Sequence, residues 1–162
     1  MERSVASPIR KELGKKMVFV SGPRQCGKTT LAKSLLTSYD YLNLDDLEHR
    51  EVFLTRSWDR KKGLVIFDEL HKLRKWKPLL KGVFDTEGMP PAIVVTGSAR
   101  LDTYRKSGES LAGRFFQYRL HPFDLKEVVG SGGAGGREDV LDTLLEVGGF
   151  PEPFLAGRRD YY

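Results

Sequence analysis

Cysteine is nearly absent, with Cys26 standing alone among 162 residues. One thiol cannot build an internal disulfide framework. The histidines, His49, His71 and His121, show no metal-ligand spacing, so a Cys- or His-rich zinc site is not expected either. Sparse cysteine suits a reducing compartment, and a cytoplasmic location is the expectation. Long apolar runs are missing too. The longest, Met17 to Val20 and Leu64 to Phe67, fall far short of the roughly 20 residues that cross a bilayer, so no membrane span is expected. Basic residues at Arg3, Arg10, Lys11, Lys15 and Lys16 precede the first apolar stretch, but that stretch has no cleavage site and argues against a signal peptide. What remains is ordinary for a globular chain: 40% hydrophobic and 30% charged residues, at a length that admits one compact domain, or one and a fragment.

Charge is unevenly placed within a net +5. From Arg56 to Lys81 nine Lys and Arg face three acids, a surplus of six, whereas from Asp40 to Glu51 five acids face Arg50. The basic segment 56–81 reads either as a solvated surface or as a candidate phosphate contact for nucleic acid.

Hydrophobic patterning alternates between two kinds of element. Met17–Ser21, Tyr39–Leu44, Leu64–Phe67, Ala92–Thr96 and Phe115–Leu120 read as strands, the apolar ones buried on both faces. Helices are expected over Lys28–Ser38, Leu47–Trp58, Trp76–Phe84 and Val140–Val147. Their expected apolar faces are Leu31, Leu35 and Leu36; Leu47, Phe53 and Leu54; Trp76, Leu79, Leu80 and Val83; and Leu141, Leu144 and Leu145. This order implies right-handed crossovers and a mainly parallel sheet covered on both sides, an α/β fold in three layers. The glycine-rich stretch 130–136 reads as a flexible loop. It divides a core, residues 1–129, from residues 137–162, expected to be a helix and the start of a further domain.

Gly22-Pro23-Arg24-Gln25-Cys26-Gly27-Lys28-Thr29 matches G-x-x-x-x-G-K-[ST] and sits between a strand and a helix, the context this motif requires. Its glycines let the backbone wrap a phosphate with N–H groups pointing inward, while the following helix adds its positive end. Lys28 supplies a point charge for phosphates, and Thr29 offers a hydroxyl to Mg²⁺. The candidate nucleotide-binding residues are thus Gly22, Pro23, Arg24, Gln25, Cys26, Gly27, Lys28, Thr29 and Thr30. Strand 64–67 ends in Asp68-Glu69: Asp68 is the second candidate metal residue, and Glu69 the candidate general base for water. Ser98, after Val94-Val95-Thr96-Gly97, reads either as a phosphate sensor or as a turn cap, with Thr96 the second candidate. Cys26 is either an inert filler or a thiolate whose alkylation blocks nucleotide binding.

Taken in order, Gly22 to Thr29, Phe67-Asp68-Glu69, Thr96-Gly97-Ser98, Leu111-Ala112-Gly113-Arg114, His121-Pro122-Phe123 and Gly148-Gly149-Phe150-Pro151 resemble the prokaryotic AAA-like P-loop ATPases that carry a C-terminal domain of unknown function. The resemblance spans Lys15 to Phe154. It implies a P-loop NTPase sheet ordered 5-1-4-3-2, ATP and Mg²⁺ as cofactors, Walker A roles for Lys28 and Thr29, Walker B roles for Asp68 and Glu69, and a sensor role for Ser98. It also makes Arg114 a candidate arginine finger, with Arg100 the weaker alternative; the rival reading pairs Arg114 with an acid of the fold. Little of that C-terminal domain is expected in 162 residues.

The function expected is Mg²⁺-dependent ATP hydrolysis, with Lys28, Glu69, Ser98 and Arg114 as candidate catalytic residues. The coupled partner is a protein, a second copy of the chain or nucleic acid. The alternative is a nucleotide-gated binding module with little turnover. A small-molecule kinase fits less well, because an Asp-Glu pair suits attack by water better than transfer to an alcohol.

Overall fold

The computed structural model describes residues 1–89, 91–98, 111–132 and 136–157. Its five strands are β1 (Met17–Ser21), β2 (Tyr39–Asn43), β3 (Leu64–Asp68), β4 (Ala92–Gly97) and β5 (Phe115–Arg119). They pair in the order β2-β3-β4-β1-β5, every pair parallel, which is the expected 5-1-4-3-2 sheet viewed from its other edge. Burial follows the order: β1, β3 and β4 are buried at every residue, while β2 and β5 are partly open, as edge strands must be.

Seven α-helices accompany the sheet among the described residues: α1 (Ala6–Glu12), α2 (Lys28–Ser34), α3 (Leu47–Thr55), α4 (Trp76–Glu87), α5 (Leu125–Gly130), α6 (Arg137–Val147) and α7 (Pro151–Ala156). Because strand side chains alternate between faces, β1 sends Val18 and Val20 to one layer and Met17 and Phe19 to the other. The first layer is closed by Ala6 and Ile9 of α1 and by Leu31 and Ala32 of α2, with Leu35 just beyond it. The second is closed by Phe53 of α3 and by Trp76, Leu80 and Val83 of α4. Phe19 stacks on Phe115 at 4.4 Å, and Phe67 packs edge-on against Phe53 at 4.9 Å. A smaller cluster of Phe123, Val128 and Val140, with Leu125, Leu144 and Phe154 against it, joins α5, α6 and α7.

Two helices end earlier than the apolar pattern suggests, while α4 runs three residues past the expected Phe84, to Glu87. α2 stops at Ser34 rather than Ser38 because Arg10 of α1 donates to the carbonyls of Ser34 and Leu35 at 3.0 and 3.1 Å, satisfying groups a longer helix would have used. α3 stops at Thr55 rather than Trp58, where Arg56 turns left-handed at φ 56° and Ser57 N–H returns to Val52 O. Trp58 instead packs on Phe67 at 5.3 Å.

The apolar faces also need correction. Leu36, Leu47 and Leu54 are exposed, leaving Phe53 as the buried residue of α3. In α6 the inward positions are Val140, Leu144 and Val147, spaced i, i+4 and i+7, whereas Leu141 and Leu145 point to solvent. The glycine-rich stretch begins one residue later than expected, since Gly130 closes α5. Its residues 133–135 lie outside the described set, as do Pro90, Arg100 and Ser110. No helix of the described residues is long and apolar enough to cross a membrane.

The segment after β5 ties the two parts together. Phe123 N–H donates to Gly149 O at 2.6 Å, and a Cβ on Gly149 would lie 2.2 Å from Phe123 O, a backbone atom that cannot step aside. Gly149→Ala is therefore expected to destabilise the fold by about 2 kcal/mol, the cost of overpacking a fixed contact. Urea unfolding checks this, and a midpoint equal to wild type would contradict the contact.

Candidate functional site

A parallel sheet places the carboxyl ends of its strands on one edge, and ligands bind outside that edge where the strand order reverses. β1 is flanked by β4 and β5, and the loop Gly22–Gly27 leaves its carboxyl end. Close packing forces the first glycine: β5 delivers Leu120 alongside, and a Cβ on Gly22 would sit 2.2 Å from Leu120 O. Gly27 has φ +90°, a left-handed value natural only to glycine, and its carbonyl starts α2 by accepting from Leu31 N–H at 2.9 Å. Lys28 opens α2 at 7% exposure. Its ammonium donates to the carbonyls of Gly22 and Pro23 at 3.2 and 2.6 Å, so the charge is folded inside the loop.

Asp68, at the carboxyl end of β3, is 5% exposed. A buried carboxylate requires donors, and this one has four. Thr29 Oγ1 and Tyr41 OH donate to Oδ2 at 2.7 and 2.8 Å, while Thr96 Oγ1 and the Glu69 N–H donate to Oδ1, the latter at 3.1 Å. Four segments thus meet at one side chain: the head of α2, β2, β3 and β4. Burial, and then the Asp68 carboxylate, push the Tyr41 phenol well above its usual pKa, keeping it a donor. The hydroxyl and carboxylate of Thr29 and Asp68 are hard oxygen donors side by side, a set that suits Mg²⁺.

Glu69 is half-buried and left-handed at φ 55°. Its Oε2 lies 3.6 Å from His71 Nε2 and 3.9 Å from Lys72 Nζ. Lys72 also pairs with Asp45, and His71 Nε2 is 3.4 Å from Ser98 Oγ beyond the end of β4. A cleft of ≈ 740 Å³ opens over Asp45, Glu69 and Lys72, a size suited to a small organic ligand. It is walled by loop residues Arg24, Gln25, Gly27, Lys28, Thr29 and Thr30, by Asp45, Glu69 and Lys72, and by Pro151, Glu152 and Leu155 of α7.

Arg114 is not in this cluster. Met17 N–H donates to Arg114 O at 3.1 Å, which fixes Arg114 at the amino edge of β1, one strand of about 16 Å from the loop. There its guanidinium holds both oxygens of Asp85 at 2.7 and 3.2 Å, and Asp85 is pulled down to about 2 by Arg114 and then Lys81. The reading that pairs Arg114 with an acid is the one the structure carries. Cys26 departs similarly: its thiol is fully buried, points at Leu120 O at 3.6 Å, and is pushed up by burial against the opposing pull of Lys28 and Arg3. Cys26 therefore offers the loop its backbone, not a thiolate.

The family model of the AAA domain matches residues 14–129, well over half of the chain. This chain belongs to the AAA domain family. Over 161 residues this chain is 32% identical to the uncharacterized proteins Rv2008c of Mycobacterium tuberculosis and Mb2031c of Mycobacterium bovis. That match covers 95% of this chain and 34% of theirs, so the chain spans about a third of the length of those relatives. Among solved structures, a Signal Transduction ATPase with Numerous Domains protein of Pyrococcus horikoshii, with a tetratricopeptide repeat sensor, aligns at TM-score 0.59 and 16% identity, over 92% of this chain and 28% of that one. The Holliday junction branch migration motor RuvB of Thermotoga maritima aligns at TM-score 0.51 and 20% identity, over 86% and 49% of the two chains. At such identities the likeness is one of fold, that of a P-loop ATPase domain, a unit that in general binds and hydrolyses nucleotide.

The cleft and the hydrogen-bonded cluster beside it also include residues that sequence reading did not single out. Tyr41 had a local signal, a polar side chain three residues before an acidic turn on an edge strand. His71 lies two residues beyond Glu69, on the short turn that follows β3. Leu155 and Glu152 had none, because helix α7 reaches the loop only through the fold. The buried thiol yields a direct test: in the native AAA domain Cys26 should react with a disulfide reagent on the order of 100-fold more slowly than in urea, since attack requires opening. Equal rates would place the thiol in solvent.

Proposed function

We propose that this AAA domain binds ATP in the ≈ 740 Å³ cleft and hydrolyses it with Mg²⁺. The observation that carries the reading is the 2.7 Å hydrogen bond from Thr29 to Asp68, which joins the phosphate loop to β3 directly beside Glu69. Thr29 donates its proton to Asp68 and keeps its oxygen lone pairs for a cation, so these two residues would hold the metal. Bound Mg²⁺ would supply charge neutralisation on the phosphate oxygens. Lys28 adds a second positive charge, and the loop N–H groups supply fixed dipoles. Glu69 accepts a proton as water attacks the γ-phosphorus, the bond to the β–γ bridging oxygen breaks, and ADP and phosphate leave. Ser98 and His71 orient the Glu69 side of the cleft, and the apolar surfaces of Pro151 and Leu155 give a base a wall to lie against.

The same reading places the domain in the cytoplasm and couples it to a partner protein, a second copy or nucleic acid. Because Arg114 sits at the far edge, charge compensation beyond Lys28 would come from Arg24 or Lys72 at the cleft, from Arg100, or from a partner. Within the basic segment, Arg56 and Arg60 pair with Glu87 and Lys81 with Asp85, while Lys61 and Lys62 lie at the opposite end of β3 from Lys72. A nucleic-acid contact would lie at residues 72–75, of which Lys72 borders the cleft.

Lys28→Ala is expected to weaken ATP binding at least about 100-fold, whereas Glu69→Gln keeps binding and lowers turnover by about 10²–10⁴. Titration with a fluorescent ATP analogue and phosphate-release kinetics separate the two effects. Turnover in Glu69→Gln equal to wild type would remove the general-base role. Nucleic-acid binding through residues 72–75 would fall steeply with salt and weaken in Arg74→Ala/Lys75→Ala, and a flat salt response excludes it.

A further inference from the structure

Arg3 has no part in the chemistry above, yet it is among the most fully engaged side chains of the molecule. Its side chain is 10% exposed, and all three guanidinium nitrogens donate: Nε to Glu127 Oε1 at 3.0 Å, Nη1 to Cys26 O at 2.8 Å and Nη2 to His121 O at 2.5 Å. Its planar face lies 4.6 Å from the centre of the Phe123 ring. Glu127, with a side chain 6% exposed, also accepts from Ser4 N–H at 2.7 Å, so the buried charges are paired and hydrogen-bonded. One planar cation therefore holds the phosphate loop, the segment after β5 and helix α5 at once.

The contact with Cys26 O has a geometric consequence for the loop. A trans peptide is planar, with its C=O and N–H directed oppositely. Arg3 draws the carbonyl of the 26–27 peptide to its own side, so the Gly27 N–H is turned away from Arg3. Gly27 lines the cleft, and its freedom at φ +90° is what allows the peptide to be set by an outside grip.

We infer that Arg3 is a positioning residue for nucleotide: by gripping Cys26 O it aims the Gly27 N–H at bound phosphate, and through His121 and Glu127 it makes that aim depend on the α5 side of the domain. This rests on the reading of the cleft as an ATP site. A role in folding alone would lower stability without changing affinity per folded molecule. A role in aiming the peptide changes KM and leaves the chemical step largely intact.

The test uses the full chain with Arg3→Lys and the double variant Arg3→Met/Glu127→Met. Arg3→Lys keeps the charge but not the three-pronged fork. The double variant removes both buried charges, so neither is left unpaired. ATP affinity, KM, kcat and melting temperature are measured, and the Gly27 amide resonance of ¹⁵N-labelled protein is followed during ADP titration. The expected result is an affinity loss of about tenfold in both variants, carried by KM with kcat changed less than about twofold, and a smaller ADP-induced shift at Gly27. Wild-type affinity in the folded variants overturns the inference, as does a tenfold loss carried by kcat. If the double variant does not fold, wild-type affinity in Arg3→Lys is sufficient to overturn it. Should wild type and Lys28→Ala bind ATP equally, the ATP site itself is wrong, and the inference falls with it; this outcome is distinct because it appears without any Arg3 substitution.

Discussion

A carboxylate at 5% exposure must be solvated by the protein, and the solvation of Asp68 decides how the carboxyl edge of the sheet is built. Its four donors come from the head of α2, from β2, from β4 and from the next peptide of its own chain. None of these can shift far without leaving a lone pair unmet, at a cost of about 1–3 kcal/mol each. The hydrogen bonds therefore align three strand ends and one helix head, and this alignment brings a loop built for phosphate beside a hard oxygen pair. The parallel register supplies the coarse placement, since Asn43 pairs with Asp68 and Val95 with Phe67. The hydroxyls supply the fine one.

A second set of constraints fixes the loop from the other side. Leu120 N–H donates to Ser21 O at 2.7 Å, and its carbonyl packs where Gly22 has no Cβ. Three residues later Phe123 meets Gly149 in the same manner, and Phe154 lies edge-on to Phe123 at 5.5 Å. The short run 120–123 thus touches the phosphate loop at one end and the α6–α7 connection at the other. Pro151 and Leu155 owe their place on the cleft to this run, so the cleft joins the sheet to the helices that follow it.

What the sequence disclosed, and what it withheld, divides along the range of the forces involved. Buried strands such as Leu64–Asp68 and the amphipathic helix Trp76–Glu87 were legible because periodicity is local. The loop Gly22–Gly27 between β1 and α2 and the strand end at Asp68 were legible because a glycine-bounded turn and an acidic strand end are also local signals. α1 was not, since only Ala6 and Ile9 of its seven residues are buried. Helix ends were missed where a distant side chain sets them, as Arg10 does for α2. The inward face of α6 was misjudged because leucine outnumbers valine there, and the fold buries Val140 and Val147 instead. Arg3 gave no signal at all: its partners Glu127 and His121 stand 124 and 118 positions away.

Charged residues were the hardest to assign, and topology explains why. A cation is useful to a phosphate only at the carboxyl edge of the sheet, yet the linear sequence does not mark edges. Arg114 precedes β5, so its parallel pairing with β1 carries it to the amino edge and into the grip of Asp85. Lys28 follows β1 and arrives at the loop. Lys72 follows β3 and borders the cleft, while Lys61 and Lys62, of the same basic run, precede β3 and lie at the other end. In an all-parallel sheet the side of the strand from which a cation departs thus decides whether it can meet the nucleotide. Arg3 is the exception that confirms the physics: it precedes β1, but helix α1 spans back across the sheet face and lets the chain begin at the carboxyl edge.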